Sequence, residues 1–148
     1  MIVRGVVLSG ITAVAFGLLY QVSGWSVAIA GLIGMISWGI AAPLDHLANA
    51  RLLGTFVGAF CVGAAAEVAA KVKQEPSLVF LVPAIIVFVP GELAYKSMVA
   101  FLRNHFVAGL EAGLTAFLEA GAIAVGLALA TALVRPLLRR HGSPPRHS

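Results

Sequence analysis

The chain has 148 residues, 60% of them hydrophobic and 11% charged, with a mean hydropathy of +1.00 and a formal net charge of +4. A soluble domain is about 45–50% apolar and about 25% charged, so this composition cannot build a water-facing surface, and soluble enzymes and nucleic-acid readers are excluded. The basic residues form no stripe but lie at the ends of apolar segments, four of the ten (Arg135, Arg139, Arg140, Arg146) within the last 14 positions, which is the pattern of membrane-flanking charge.

A helix crosses about 30 Å of hydrocarbon with about 20 residues. On that measure the chain reads as an all-α integral membrane protein of about five transmembrane helices, the fourth broken by proline and glycine. The first segment runs from about Val6 to Val22 with no charge after Arg4. Its flanks resemble a signal peptide, but no convincing cleavage site precedes the next segment, and it is read as a retained span. The second, about Ser26 to Ala42, has Trp25 and Trp38 suited to the interfaces and is expected to stop at Pro43-Leu44-Asp45. The third, about Leu52 to Ala70, closes on Glu67, Lys71, Lys73 and Glu75, where Glu67 and Lys71 at i, i+4 read as a solvated pair.

The fourth run, Ser77 to Val89, has only 13 residues, contains Pro83 and meets Pro90 at its end. Each proline removes an intrahelical hydrogen bond, and in lipid an unsatisfied carbonyl costs several kcal/mol unless protein or a water-filled cavity receives it. The segment is therefore expected inside the assembly. It either continues through Pro90-Gly91 to about Leu102 as a span with a break, or turns back as a re-entrant loop. The fifth segment, about Phe106 to Val134, is expected to stop at Arg135-Pro136. Residues 1–135 thus form one transmembrane domain, and residues 136–148 a basic, proline-rich tail read as disordered.

Counting lysine and arginine places that tail in the cytoplasm under both alternatives, with six basic residues against four, while the side of the N-terminus differs between them. Cys61 has no second thiol, and the histidines (His46, His105, His141, His147) show no ligand spacing, so no disulfide, metal or other cofactor is expected.

Alanine (26) and glycine (16) suit helices that approach closely. Ala112, Ala116, Ala120, Ala124, Ala128 and Ala132 recur every four residues, and Gly109/Gly113 and Gly54/Gly58 form GxxxG pairs. These faces are expected to pack the chain's own bundle, with a share left for another subunit or a homo-oligomer. Ionisable groups at membrane depth default to functional hypotheses. Glu119, about 13 residues into the fifth segment, is the leading candidate for a carboxylate that couples transport to a proton or cation, and Glu111, two turns earlier, is the second. A structural, hydrogen-bonded glutamic acid is the alternative. Glu92 and Lys96, at i, i+4 after Pro90-Gly91, can neutralise each other, or can stand at a half-helix end that faces substrate.

The stretch PSLVFLVPAIIVFVPGELAYKSM, Pro76 to Met98, preceded by AAAEVAAKVKQEP, resembles the signature of the threonine/serine exporter family, in particular the short subunit of its split, two-gene members. The resemblance carries over Pro83, Pro90, Gly91, Tyr95 and Met98 as substrate-binding or gating positions, beside Glu92. This chain departs from the family pattern at Pro83-Ala84, where the family's first break usually reads VPG, and at Glu92, where a small residue is common.

The resemblance implies export of small polar metabolites, threonine and serine or a dicarboxylate such as succinate, across a bacterial inner membrane together with a larger transmembrane partner subunit. No G-x-x-x-x-G-K-[ST] loop occurs, so a gradient would supply the energy. The competing readings are a non-transporting membrane scaffold and a small homo-oligomeric exporter, the latter expected to carry a glutamate in its first helix, where this chain has none. No nucleophile–base pair or metal motif recommends an enzyme.

Overall fold

The computed structural model describes residues 2–22, 24–48 and 51–140. Among these the chain is all helical: α1 (Ile2–Leu19), α2 (Trp25–Ala48), α3 (Arg51–Lys73), α4 (Leu78–Ile85), a 3₁₀ turn (Ile86–Phe88), α5 (Gly91–Leu102) and α6 (Phe106–Arg140). The helices stop on polar residues that tolerate the left-handed conformation. Gln21, Gln74 and Asn104 have φ of 57°, 54° and 60°. After each, the next N–H reaches back to a carbonyl five residues earlier, Val22 to Gly17, Glu75 to Ala70 and His105 to Ala100, which satisfies end carbonyls that lipid could not.

Trp25–Leu44, Arg51–Lys73 and Phe106–Leu138 are each long and apolar enough to cross a membrane. The bent pair Leu78–Phe88 and Gly91–Leu102 makes a fourth when taken as one span, and α1 offers a shorter apolar stretch of 17 residues, Val3–Leu19. The bend between the halves of that pair is 48°, a deflection and not a reversal. Contacts along it advance one way: Ser77 faces Glu67, Phe88 meets Gly58, Pro90 joins Arg51 and Glu119, and Ser97 reaches Gly109. On this geometry the two halves continue in one direction, as those of a broken span do.

The break follows from proline chemistry. A residue before proline is pushed out of the helical region, and Val89 is extended (φ −63°, ψ 127°). Pro90 (φ −76°, ψ 51°) then forms a tight turn in which the Gly91 N–H donates to the Val89 carbonyl at 2.8 Å. Two other prolines do not end their helices. α2 continues through Pro43 to Ala48, and α6 through Pro136 to Arg140, five residues past the expected stop. Each forfeits one backbone hydrogen bond, a loss that a long, otherwise regular helix can absorb. The remainder of the expected disordered tail, 141–148, lies outside the described residues.

α1 and α2 form an antiparallel hairpin, α3 lies against α2, and α4 is held between α2 and α3, where Phe80, Ala84, Ile33, Val62 and Ala66 make the core. α5 packs back on the first part of α6 through the expected GxxxG pair: Ser97 Oγ donates to the Gly109 carbonyl at 2.7 Å, and a Cβ on Gly113 would lie 2.9 Å from that same Oγ.

α3 and α6 run parallel in the most extensive helix pair, so close that a Cβ on Gly126 would lie 2.7 Å from the Phe56 carbonyl oxygen. The buried face of α6 is Glu119, Gly126 and Ala130, while Ala120, Ala124, Ala128 and Ala132 are exposed. The four-residue alanine ridge therefore does not pack the bundle along its length. At about 100° per residue such a ridge drifts about 40° per step, or about 200° over its length, and leaves any one face of a straight helix.

Candidate functional site

The break in the fourth span opens onto a cavity of about 230 Å³. α2 contributes Trp38, Ala41 and Ala42, α3 contributes Arg51, Gly54 and Thr55, the turn and break contribute Val87 to Pro90, α5 contributes Glu92, and α6 contributes Glu119. The site thus draws on α2, α3, α5 and α6 as well as on the break itself. Trp38, expected at the interface, instead covers Gly5 of α1 with its ring and forms one wall.

The charged centre is an ion pair. Arg51 Nε lies 2.6 Å from Glu119 Oε1, with the carboxylate side chain 3% exposed and the guanidinium side chain 57% exposed. Parallel packing in one register puts these groups together, because Arg51 opens α3 and Glu119 stands 68 positions later on α6. A buried carboxylate needs such a partner, since unpaired it would carry a desolvation cost of several kcal/mol. The half-exposed guanidinium can exchange that partner without itself being stranded.

Glu119 is therefore not at the middle of the bundle. It stands level with the first residue of α3, and α5 with the first 13 residues of α6 extends beyond it. Sequence counting placed it by its own helix alone, and α6 is far longer than its neighbours.

The other predicted positions divide. Pro90, Glu92 and Glu119 meet at the cavity. Gly91 begins α5 beside it, with open space where a Cβ would be, so the position has room for a larger residue. Pro83 is buried in α4, outside the cavity wall, and Tyr95 and Met98 are exposed on α5, also outside it. Glu111 is exposed on the extension of α6 and does not join Glu119. Glu92 pairs with Lys96 at 2.5 Å, as its spacing predicts, and both side chains are solvent-exposed.

Arg51, Thr55 and Trp38 were missed as site residues. Glu67 was assigned the wrong partner: it is buried, and Arg135 approaches both of its oxygens, with Nη2 to Oε1 at 2.9 Å and Nε to Oε2 at 3.3 Å, while Lys71 donates to the Leu138 carbonyl. A legible signal did exist. Arg51 and Glu67 on α3 are 16 residues apart, and so are Glu119 and Arg135 on α6, with the signs exchanged. Two such helices in parallel pair at both ends in a single register.

Long apolar helices with a proline-broken segment among them are those of a helical membrane protein. The family model described as "Threonine/Serine exporter, ThrE" matches residues 5–133, and the chain belongs to that family. No curated protein and no solved structure matches the chain.

Proposed function

We propose that this chain is the small membrane subunit of a gradient-driven exporter of small amino acids of the threonine and serine type, with its substrate site in the cavity at the Pro90 break. The Arg51–Glu119 pair carries the reading. An amino-acid zwitterion can give its carboxylate to Arg51 and its ammonium to Glu119, replacing one ion pair by two and leaving no buried charge alone. A dicarboxylate would satisfy Arg51 only while facing Glu119, so the charge set favours the zwitterion over succinate. Glu119, once released by Arg51, is also the carboxylate able to take a coupling proton.

On this reading the chain crosses five times, with the broken segment taken as one span and α1 as a further crossing, its C-terminus lies in the cytoplasm, and its place is a bacterial inner membrane. A larger transmembrane subunit would supply the rest of the pathway. The exposed Ala120 to Ala132 ridge favours a second reading, a scaffold that binds a neighbour without transporting.

The deciding experiment is efflux of preloaded labelled threonine, serine and succinate from cells that express this chain, its larger partner, or both. Threonine and serine efflux with both subunits present is expected. Succinate efflux alone would overturn the zwitterion assignment, and no efflux from any combination with both proteins in the membrane would leave the scaffold.

A further inference from the structure

The α3–α6 seam has two charged ends, and the second also opens onto a cavity. At the end opposite Arg51 lies a space of about 410 Å³ walled by Glu67, Lys71, Glu75, Ser77 and Arg135. Glu67 is 8% exposed and held by the Arg135 fork. Glu75 accepts a 2.8 Å hydrogen bond from Ser26 Oγ of α2.

The groups repeat those of the first cavity: an Arg–Glu pair that bridges α3 and α6, a second carboxylate from chain adjoining the broken span, and a hydroxyl, Ser77 in place of Thr55. The polarity of the pair is exchanged, since the arginine belongs to α3 at one end and to α6 at the other. α4 and its 3₁₀ turn run from one cavity to the other, with Ser77 before α4 in the wall of the second and Phe88 in the wall of the first.

Between the cavities the passage is shut. A Cβ on Gly63 would lie 2.7 Å from that of Ala130, Phe80 is fully buried, and the Phe88 ring occupies the notch at Gly58, where a Cβ would come within 2.2 Å of it. Two like-equipped cavities are thus separated by the shortest and most broken helix of the fold.

We propose that the Glu67–Arg135 cavity is a second binding station for a small molecule that carries both an ammonium and a carboxylate, with α4 as the partition between the stations. The ligand class rests on the reading of the first cavity. The same exchange operates here, with the ligand carboxylate on Arg135 and its ammonium on Glu67. The charges in this wall, Glu67 and Glu75 against Lys71 and Arg135, sum to zero, as do those at the first cavity, where Lys96 offsets Glu92. A net-neutral zwitterion therefore suits either end, with no excess charge of the site favouring one of its two groups.

The test is equilibrium binding of labelled threonine to the full chain in lipid nanodiscs. Each pair is neutralised as a whole, so that no buried charge is left alone. Two molecules per chain are expected for the wild type, one for E67Q/R135Q, one for R51Q/E119Q and none for the fourfold variant. The site that remains in each double variant reports that it is folded. One molecule per chain, lost in R51Q/E119Q and kept in E67Q/R135Q, would overturn the second station and leave the first. One molecule lost in E67Q/R135Q and kept in R51Q/E119Q would sustain the second station and overturn the first. Loss of all binding in E67Q/R135Q, or none in the wild type, would overturn the proposal.

Discussion

Arg51 and Glu119 are unequal partners: one side chain is 57% exposed and the other 3%. Removing the arginine takes the guanidinium from a buried carboxylate, whereas removing the glutamate leaves a guanidinium that water can solvate. Breaking a buried pair costs about 3–5 kcal/mol, and the exposure of Arg51 places this pair near the low end, so Arg51→Gln should lose roughly 3 kcal/mol. Glu119→Gln should lose well under half of that. Thermal unfolding of the two variants in detergent checks the asymmetry, and equal losses would contradict it. In efflux the order changes. Glu119→Gln should insert normally yet abolish threonine flux, whereas a scaffold would tolerate it. Arg51 was not legible as a site residue because a single arginine after a polar turn reads as flanking charge, and only its distant partner distinguishes it.

At the level of elements, the α3–α6 seam depends on absent side chains. Gly126→Ala would drive a Cβ to 2.7 Å from the Phe56 backbone oxygen, which cannot rotate away, so the helices must separate. Overpacking of this kind costs about 1–3 kcal/mol. Gly121 has nothing within 4 Å of the same position, and Gly121→Ala should instead gain about 0.5–1 kcal/mol from helix propensity. Opposite shifts in melting temperature are expected, and like shifts would show that the seam is looser than described.

The break makes a second case. Pro90→Ala restores an N–H donor and frees Val89 to become helical, so the 3₁₀ turn should run on into α5 and close the cavity. Threonine efflux should fall while the protein remains folded, and unchanged efflux would remove the break from the mechanism. That break was readable from sequence, because Pro90 constrains Val89 locally. The passage of α2 through Pro43 and of α6 through Pro136 was not, because neighbouring helices decide whether one lost hydrogen bond ends a helix. The alanine ridge misled for a geometric reason, since regular spacing in sequence is not constant direction around a helix.

For the whole molecule, whether α4 and α5 make one crossing decides which turns share a side. A single crossing places the turn at Gln74 and the turn at Asn104 on opposite faces. Cysteines substituted at these positions, in a Cys61→Ser background, should react with a membrane-impermeant maleimide from opposite sides, and labelling of both from one side would restore the re-entrant loop. The candidate span of α6, Phe106–Leu138, has 33 residues and a length of about 50 Å, about 20 Å more than an average hydrocarbon layer.

The shared register of α3 and α6 also orders the birth of the protein. Arg51 and Glu67 are synthesised 68 residues ahead of Glu119 and Arg135, so α3 is made before either partner on α6 exists. Their separation of 16 residues, about 24 Å, lets each head reach a headgroup layer during the wait. α6, made later, then supplies a partner at both ends at once, and a chain interrupted before α6 would lack both pairs.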